Sequence, residues 1–379
     1  MAKKKEEEPK VPNDRLAKFL ASELMGKIRK AHGDGVLLRA SDFTVQQRPR
    51  IPTDIFAMDY ALGGGIPVGM FSQIYGHKSA GKTTTVLRLI KNAQNMCAQC
   101  YRFLENEEWG CQCKTPRQFV CVYIDVEGAL DIPWVRSLGV DTGKMIISVP
   151  EYAEQALDIA EAMLRSGDVD LVVLDSIAAL TPMKEIEESV EKDMMGVGPR
   201  LIGKAFRKFQ SAMNAVGAET DRRPTLIATN QIRMQLGVMF GNPETTPGGK
   251  AVGFAAATET RCAAGKYDMD DVSGQPVRVE LRFKVEKNKT AGAKMEGSYF
   301  LHLTNGDKKR KGDVEDEDFM VVMGEKTGLV QRTRGYECLG KEFRIKQDLL
   351  DHLALDRPFR RRLYYDLLKV LLTDPEPAA

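Results

Sequence analysis

From about residue 70 to 231, short apolar runs alternate with amphipathic stretches. Phe71–Tyr75, Val120–Asp125, Leu171–Asp175 and Thr225–Thr229 read as strands. Between them, Thr83–Ala93, Ala153–Arg165 and Pro199–Val216 carry helical spacing, and Gly167 and Gly217 stand where helix stops are expected. Alternation of this kind predicts an α/β fold: a mainly parallel central sheet covered by helices, with ligands at the carboxyl ends of the strands. Further strands are expected within 250–305, for example Val277–Val285 and Ser298–Leu303.

The flanks read differently. After a charged tail over 1–11, Asn13 or Asp14 can cap a helix whose Leu16, Phe19, Leu20, Leu24 and Ile28 form one apolar stripe. A linker with Pro49 and Pro52 follows, so the stripe packs either on the chain's own core or on another subunit. Residues 307–318, DKKRKGDVEDED, look like a solvated loop. Beyond them, leucine stripes at Leu349, Leu350 and Leu353 and at Leu363, Leu367 and Leu368 predict a small α/β C-terminal domain. Over 332–369, ten Arg or Lys face six Asp or Glu, an excess of four positive charges. The expected division is an N-terminal helix and linker over 1–50, a core over 51–305 with a cysteine-rich insertion at 97–113, and a C-terminal domain over 306–379.

Composition narrows the class. A chain of 379 residues, 43% hydrophobic and 28% charged, can bury a sizeable core, which excludes disordered and collagen-like readings. No run approaches the ~18 apolar residues that a membrane span needs, and MAKKKEEEPK lacks the apolar segment of a secretory signal. The expected location is the cytoplasm, with no membrane partner. Lys and Arg number 55 against 53 Asp and Glu, so any polyanion must be held by local patches.

Gly76-His77-Lys78-Ser79-Ala80-Gly81-Lys82-Thr83 fits G-x-x-x-x-G-K-[ST] and lies between a predicted strand and a predicted helix. Its glycines let backbone N–H groups curl around phosphates, Lys82 reaches the outer phosphates, and the Thr83 hydroxyl ligates Mg²⁺. The alternative is a plain glycine turn before a helix. Asp175 closes an apolar strand, where it can order Mg²⁺ and its water or simply cap the next segment. Glu127 ends another such strand, within reach of a water attacking a phosphate, although an acidic residue there is often just solvated.

At Asn230-Gln231-Ile232-Arg233 and Phe240-Gly241-Asn242-Pro243-Glu244-Thr245-Thr246-Pro247-Gly248-Gly249, the sequence resembles the bacterial RecA recombinase family. The likeness runs from about 52 to 290, through Val173-Leu-Asp-Ser-Ile-Ala-Ala-Leu-Thr-Pro182 and Lys287-Asn-Lys289. It implies a RecA-like P-loop ATPase core. The implied activity is that of a DNA-dependent ATPase for recombination and repair, forming a homo-oligomeric helical filament on single-stranded DNA and exchanging strands with a homologous duplex. ATP and Mg²⁺ are the implied cofactors. By the same resemblance Glu127 activates water, Gln231 senses the γ-phosphate, and Lys287 and Lys289 reach ATP from a neighbouring subunit. Thr84 and Asp131 join the nucleotide set, and Trp134 takes the place of an adenine-stacking aromatic, although a buried packing Trp would look the same. Phe254 falls at the subunit interface. Two loops, about Glu185–Gly196 and Ile232–Gly249, match DNA-binding segments. In them and beside them, Met195, Gly196, Arg200, Arg207, Arg233, Leu236, Gly248 and Gly249 are the implied DNA contacts, apolar side chains wedging between bases and arginines binding phosphates.

The chain also departs from the family. Where relatives have a short connection, this one holds Cys97-x2-Cys100-x10-Cys111-x-Cys113. Four thiolates in two close pairs can surround a structural Zn²⁺, the alternative being free or regulatory thiols. After Lys289 the family tends to F-x-I-x-Y-G, whereas this chain reads Tyr299-Phe-Leu-His-Leu-Thr-Asn-Gly306, which removes an aromatic from the back of the nucleotide. The rival function is a RadA-like branch-migration motor or a hexameric helicase.

Overall fold

The structure, a computed structural model, describes residues 18–19, 21–32, 48–104, 110–188, 197–220, 222–234, 243–292 and 295–372. It forms two units, Met1–Arg48 and Pro49–Ala379. In the first, helix α1 (Glu23–His32) exposes Leu24 and buries Met25, and Phe19 ahead of it is exposed. Leu16 and Leu20 of the expected stripe lie outside the described residues.

In the second unit the strands of the main sheet are β1 (Phe71–Gly76), β2 (Cys121–Asp125), β3 (Met145–Ser148), β4 (Leu171–Asp175), β5 (Thr225–Gln231), β6 (Thr258–Met269), β7 (Pro276–Asn288), β8 (Glu296–His302) and β9 (Val314–Glu315). Among the described residues they make one nine-stranded sheet in the order β9-β8-β7-β6-β1-β5-β4-β2-β3. From β6 to β3 every pairing is parallel, and β6 to β9 add an antiparallel meander. β1 therefore lies mid-sheet, bonded to β5 on one side and β6 on the other.

Successive strand side chains alternate faces, and both faces are covered. Cys121 and Tyr123 of β2 join a core beneath helix α3 (Lys82–Gln94), with Val86, Leu87 and Ile90. Val122 and Ile124 join the opposite core, formed with helices α5 (Ala153–Arg165) and α7 (Val197–Thr220) through Leu157, Phe206 and Phe209. Helix α4 (Ile132–Ser137) follows β2, the short helix α6 (Met183–Glu187) precedes α7, and α8 (Gly249–Ala255) precedes β6. A third core joins α2 (Phe56–Leu62) to α9 (Glu317–Thr327), α10 (Lys346–Leu355) and α11 (Arg357–Leu372), beside a sheet of β10 (Val330–Arg332), β11 (Tyr336–Cys338) and β12 (Lys341–Phe343). Phe56 sits within it, between the rings of Phe319 and Tyr364.

Three features differ from the sequence reading. Gly217 does not stop a helix; α7 runs through it to Thr220. A Cβ there would lie 2.2 Å from Arg223 Cγ, so the glycine admits a close crossing. Residues 307–318 are not a solvated loop throughout. Val314–Glu315 form a strand, and Asp316 and Glu317 are buried because Arg360 pairs with both and Lys309 with Glu317. Met145–Ser148, an apolar run that the sequence reading did not assign, is a strand at the sheet's edge that leaves Ile146 and Ile147 exposed.

Candidate functional site

The phosphate-loop segment leaves β1 at Gly76 and enters α3 at Lys82. A Cβ on Gly76 would lie 2.0 Å from the Cys262 carbonyl oxygen of β6, and Gly81 holds a left-handed φ of 76°. Only glycine fits either place. No side chain caps the N-terminus of α3, which leaves its first N–H groups available to an anion. Lys82 Nζ donates to the carbonyls of Gly76 (3.2 Å) and His77 (2.6 Å), and burial pushes its ammonium pKa down against the pull of Cys262, Asp175 and Glu127.

Asp175, buried at the end of β4, accepts hydrogen bonds from Thr83 Oγ1 at 2.7 Å, from Tyr123 OH at 2.6 Å, and from Thr229. Burial, with Asp175 beside it, pushes the Tyr123 phenol far up, which keeps it a donor. Glu127 stands on the loop after β2, a loop folded by Asp125, which accepts from the N–H groups of Gly128 and Leu130 at 2.9 and 3.0 Å. Glu127 Oε1 accepts from Ser176 Oγ at 2.7 Å and from Gln231 Nε2 at 2.9 Å. Three strand ends, those of β2, β4 and β5, thus meet on one carboxylate.

Lys78 to Thr84, Glu127, Trp134, Asp175 and Gln231 line one cleft of about 320 Å³. Asp131 stands outside it and caps α4, accepting from the Trp134 N–H at 3.3 Å. The half-buried Trp134 is locked in place: its indole N–H donates to Thr84 Oγ1 at 3.3 Å, and Lys311 Nζ lies 5.5 Å from the ring centroid. His77 is outside the cleft as well, 3.7 Å from Glu244, which also pairs with Arg261 at 2.7 Å. The opposite wall holds residues that the sequence reading missed: Tyr267 from β6, Val279 and Leu281 from β7, Leu301 from β8, and Leu303 just past it. Only the distant pairing of β6 with β1 brings Tyr267 there, and no local motif announces it. Removing its ring in Tyr267→Ala is expected to raise the KM for ATP roughly 2- to 10-fold, the loss of one aromatic contact, in steady-state assays. A larger cavity of about 790 Å³, between α2, β8 and α10, is lined by paired charges such as Lys308 with Asp351 at 2.6 Å and contains no phosphate loop.

Of the residues assigned to DNA and neighbouring subunits, Met195, Gly196 and Leu236 lie outside the described residues. Arg200 and Arg207 are exposed on α7, and Arg233 donates to the Ala178 carbonyl at 3.0 Å. Arg233–Met234 pair antiparallel with Glu244–Thr245, closing the base of the second loop. Gly248, at φ 84°, starts α8, where a Cβ would meet Val252 and Ile202; Gly249 is exposed. At the other end of α8, Lys287 and Lys289 donate to the carbonyls of Gly253 (2.5 Å) and Phe254 (3.2 Å), and Phe254 is 74% exposed. These last three form one surface, apart from the cleft of their own chain.

The four cysteines converge. The Sγ atoms of Cys97, Cys100, Cys111 and Cys113 lie within 4.8 Å of one another. Burial opposes ionisation of Cys97, but N–H groups of Cys100, Gln99 and Arg117 bring its thiol down to about 6. A set of four soft thiols around one point suits Zn²⁺, whereas the hard oxygens of Thr83 and Asp175 suit Mg²⁺.

Comparison with known proteins agrees with this geometry. The family profile described as "RecA N-terminal domain" matches residues 19–109 and 111–305. A "Protein RecA" of Cutibacterium acnes is 37% identical over 328 residues, 86% of this chain and 83% of that one. Those of Francisella philomiragia subsp. philomiragia and Mycobacteroides abscessus are 36% and 33% identical, covering 92% and 93% of this chain and 88% and 94% of theirs. Nothing in the fold or in these matches favours the RadA-like or helicase alternative. The chain belongs to the RecA family of recombination and DNA-repair proteins.

Proposed function

We propose that this chain assembles as a helical homo-oligomer on single-stranded DNA, hydrolyses ATP with Mg²⁺, and exchanges the bound strand with a homologous duplex in the cytoplasm. Family membership implies a DNA-dependent ATPase. The observation that carries the reading is Glu127, held by Ser176 and Gln231 in the same cleft as Lys82, Thr83 and Asp175.

Bound Mg²⁺-ATP supplies the scissile phosphoanhydride and a cation that neutralises its charge. Lys82 turns from the Gly76 and His77 carbonyls to the outer phosphates. Thr83 and Asp175 hold the metal. Ser176 and Gln231 occupy Glu127 Oε1, so Oε2 is the oxygen left to take a proton from water. Trp134 offers its ring to the base. Lys287, Lys289 and Phe254 share a surface suited to a second copy, and cations arriving there would complete a neighbour's phosphate site. Arg200, Arg207 and Arg233 contact the DNA backbone, and Met195, Gly196, Leu236, Gly248 and Gly249 are the further DNA contacts that the family resemblance implies. The cysteine cluster binds a structural zinc, and purified protein is expected to carry about one ion per chain.

ATP turnover with and without single-stranded DNA, read beside electron micrographs, tests the proposal. DNA should stimulate hydrolysis, and the ATP complex should form open helices. Lys82→Ala should abolish the stimulated rate. Closed rings with turnover indifferent to DNA would restore the helicase reading.

No helix among the described residues is long and apolar enough to cross a membrane.

A further inference from the structure

Beyond its own fold, the cysteine cluster touches the end of the chain. Cys97 comes three residues after α3, the helix that begins at the phosphate loop. The segment that follows is pinned by backbone bonds: the Cys97 N–H donates to the Arg102 carbonyl at 2.8 Å, that of Leu104 to Asn95 at 2.8 Å, and that of Cys111 to Phe103 at 2.8 Å. Phe103 therefore sits between the two cysteine pairs, and both its carbonyl and its bridge to Met96 are set by their geometry.

Its ring points at α11. Phe103 and Tyr365 have centroids 5.9 Å apart, Arg361 lies 5.3 Å over the Phe103 ring, and Tyr365 stacks edge-on against Tyr364 at 5.2 Å. Tyr364 in turn donates to Asp59 of α2. A contiguous line of rings thus runs from the cysteines to the junction of α2 and α11.

We propose that the metal-loaded knuckle is a clasp: zinc fixes Phe103 as a wedge that holds α11 against the ATPase core, so that metal occupancy sets how firmly the C-terminal helix is docked. This rests on the reading of the four cysteines as a zinc site. A loop this short has little apolar core of its own, so loss of the ion frees the cysteine pairs on either side of Phe103 and leaves the ring held only by backbone bonds and by its edge contact with the main core. The phosphate-loop helix ends at the same knuckle, so a loosened clasp frees α11 at the far end of the helix that grips the nucleotide.

Hydrogen exchange of the full chain, with zinc measured in the same samples, tests this. Removing zinc from the native protein by chelation should speed exchange in 357–372 about tenfold, as for loss of a local closing contact, while α5 stays protected and added zinc reverses the change. Phe103→Ala should retain zinc and show the same acceleration. The Cys100→Ser, Cys113→Ser double variant should lose both zinc and protection. If Phe103→Ala keeps zinc and leaves 357–372 unchanged, the clasp is wrong and the zinc knuckle stands. A native chain without zinc overturns the metal reading, and the clasp with it.

Discussion

Replacing Glu127 by glutamine is expected to lower the DNA-stimulated kcat by about 100- to 10,000-fold, the range for loss of a positioned general base, while leaving the KM for ATP nearly unchanged. The substitution preserves size, and Ser176 and Gln231 can still donate to the remaining carbonyl oxygen. What it removes is an oxygen able to take a proton. Because Lys82, Thr83 and Asp175, the residues proposed to hold nucleotide and metal, are untouched, complexes with DNA should still form and should outlast those of the parent protein. Phosphate release at saturating ATP, read beside filter binding of a labelled oligonucleotide, separates the two effects. A glutamine variant that turns over at the parental rate would place the base elsewhere.

The second large effect concerns stability. Arg360 of α11 is 14% exposed and pairs with Asp316 at 2.6 Å, Glu317 at 3.3 Å and Asp54 at 3.6 Å; Asp54 also meets Arg88 at 2.9 Å and Lys91 at 3.1 Å. Burial opposes ionisation of Asp54, yet Lys91, Arg88 and Arg360 hold its carboxyl well below the usual range, so Asp54 is charged at neutral pH. Arg360→Ala leaves Asp316, with a fully buried side chain, facing Glu317 without its cation. The expected loss is about 3–5 kcal/mol, the cost of stranding buried charge, in urea unfolding with an unchanged slope. Arg360→Met combined with Asp316→Leu should recover part of it, since the two buried charges leave together while Lys309 still pairs with Glu317 and Arg88 and Lys91 with Asp54; the Phe56 N–H, which donates to Asp316, then loses its acceptor.

How far the sequence shows this molecule depends on the range of each signal. The phosphate loop and the strand ends at Glu127 and Asp175 were legible because strand, turn and helix lie within a dozen residues and a carboxylate closing an apolar run marks its own position, whereas Gln231 came only from the family resemblance. Tyr267 was not, because its place in the cleft depends on β6 pairing with β1, almost 190 residues earlier in the chain. The Arg360 cluster was hidden for the same reason: 307–318 looks solvated until α11 brings a guanidinium to it. Gly217 misled because a glycine that makes room for a side chain, here that of Arg223, and one that ends a helix are spelled alike. The cysteines were read from spacing, but their link to α11 through Phe103 has no linear signature.

The position of β1 has a consequence for how the protein lets go of what it holds. A strand bonded along both edges in the middle of a wide sheet is among the last parts of a fold to open, whereas loops at its rim open readily. In the proposed ATPase the floor beneath the phosphates would therefore stay rigid, and spent nucleotide would leave by motion of the loops at the rim, such as the turn after Gln231.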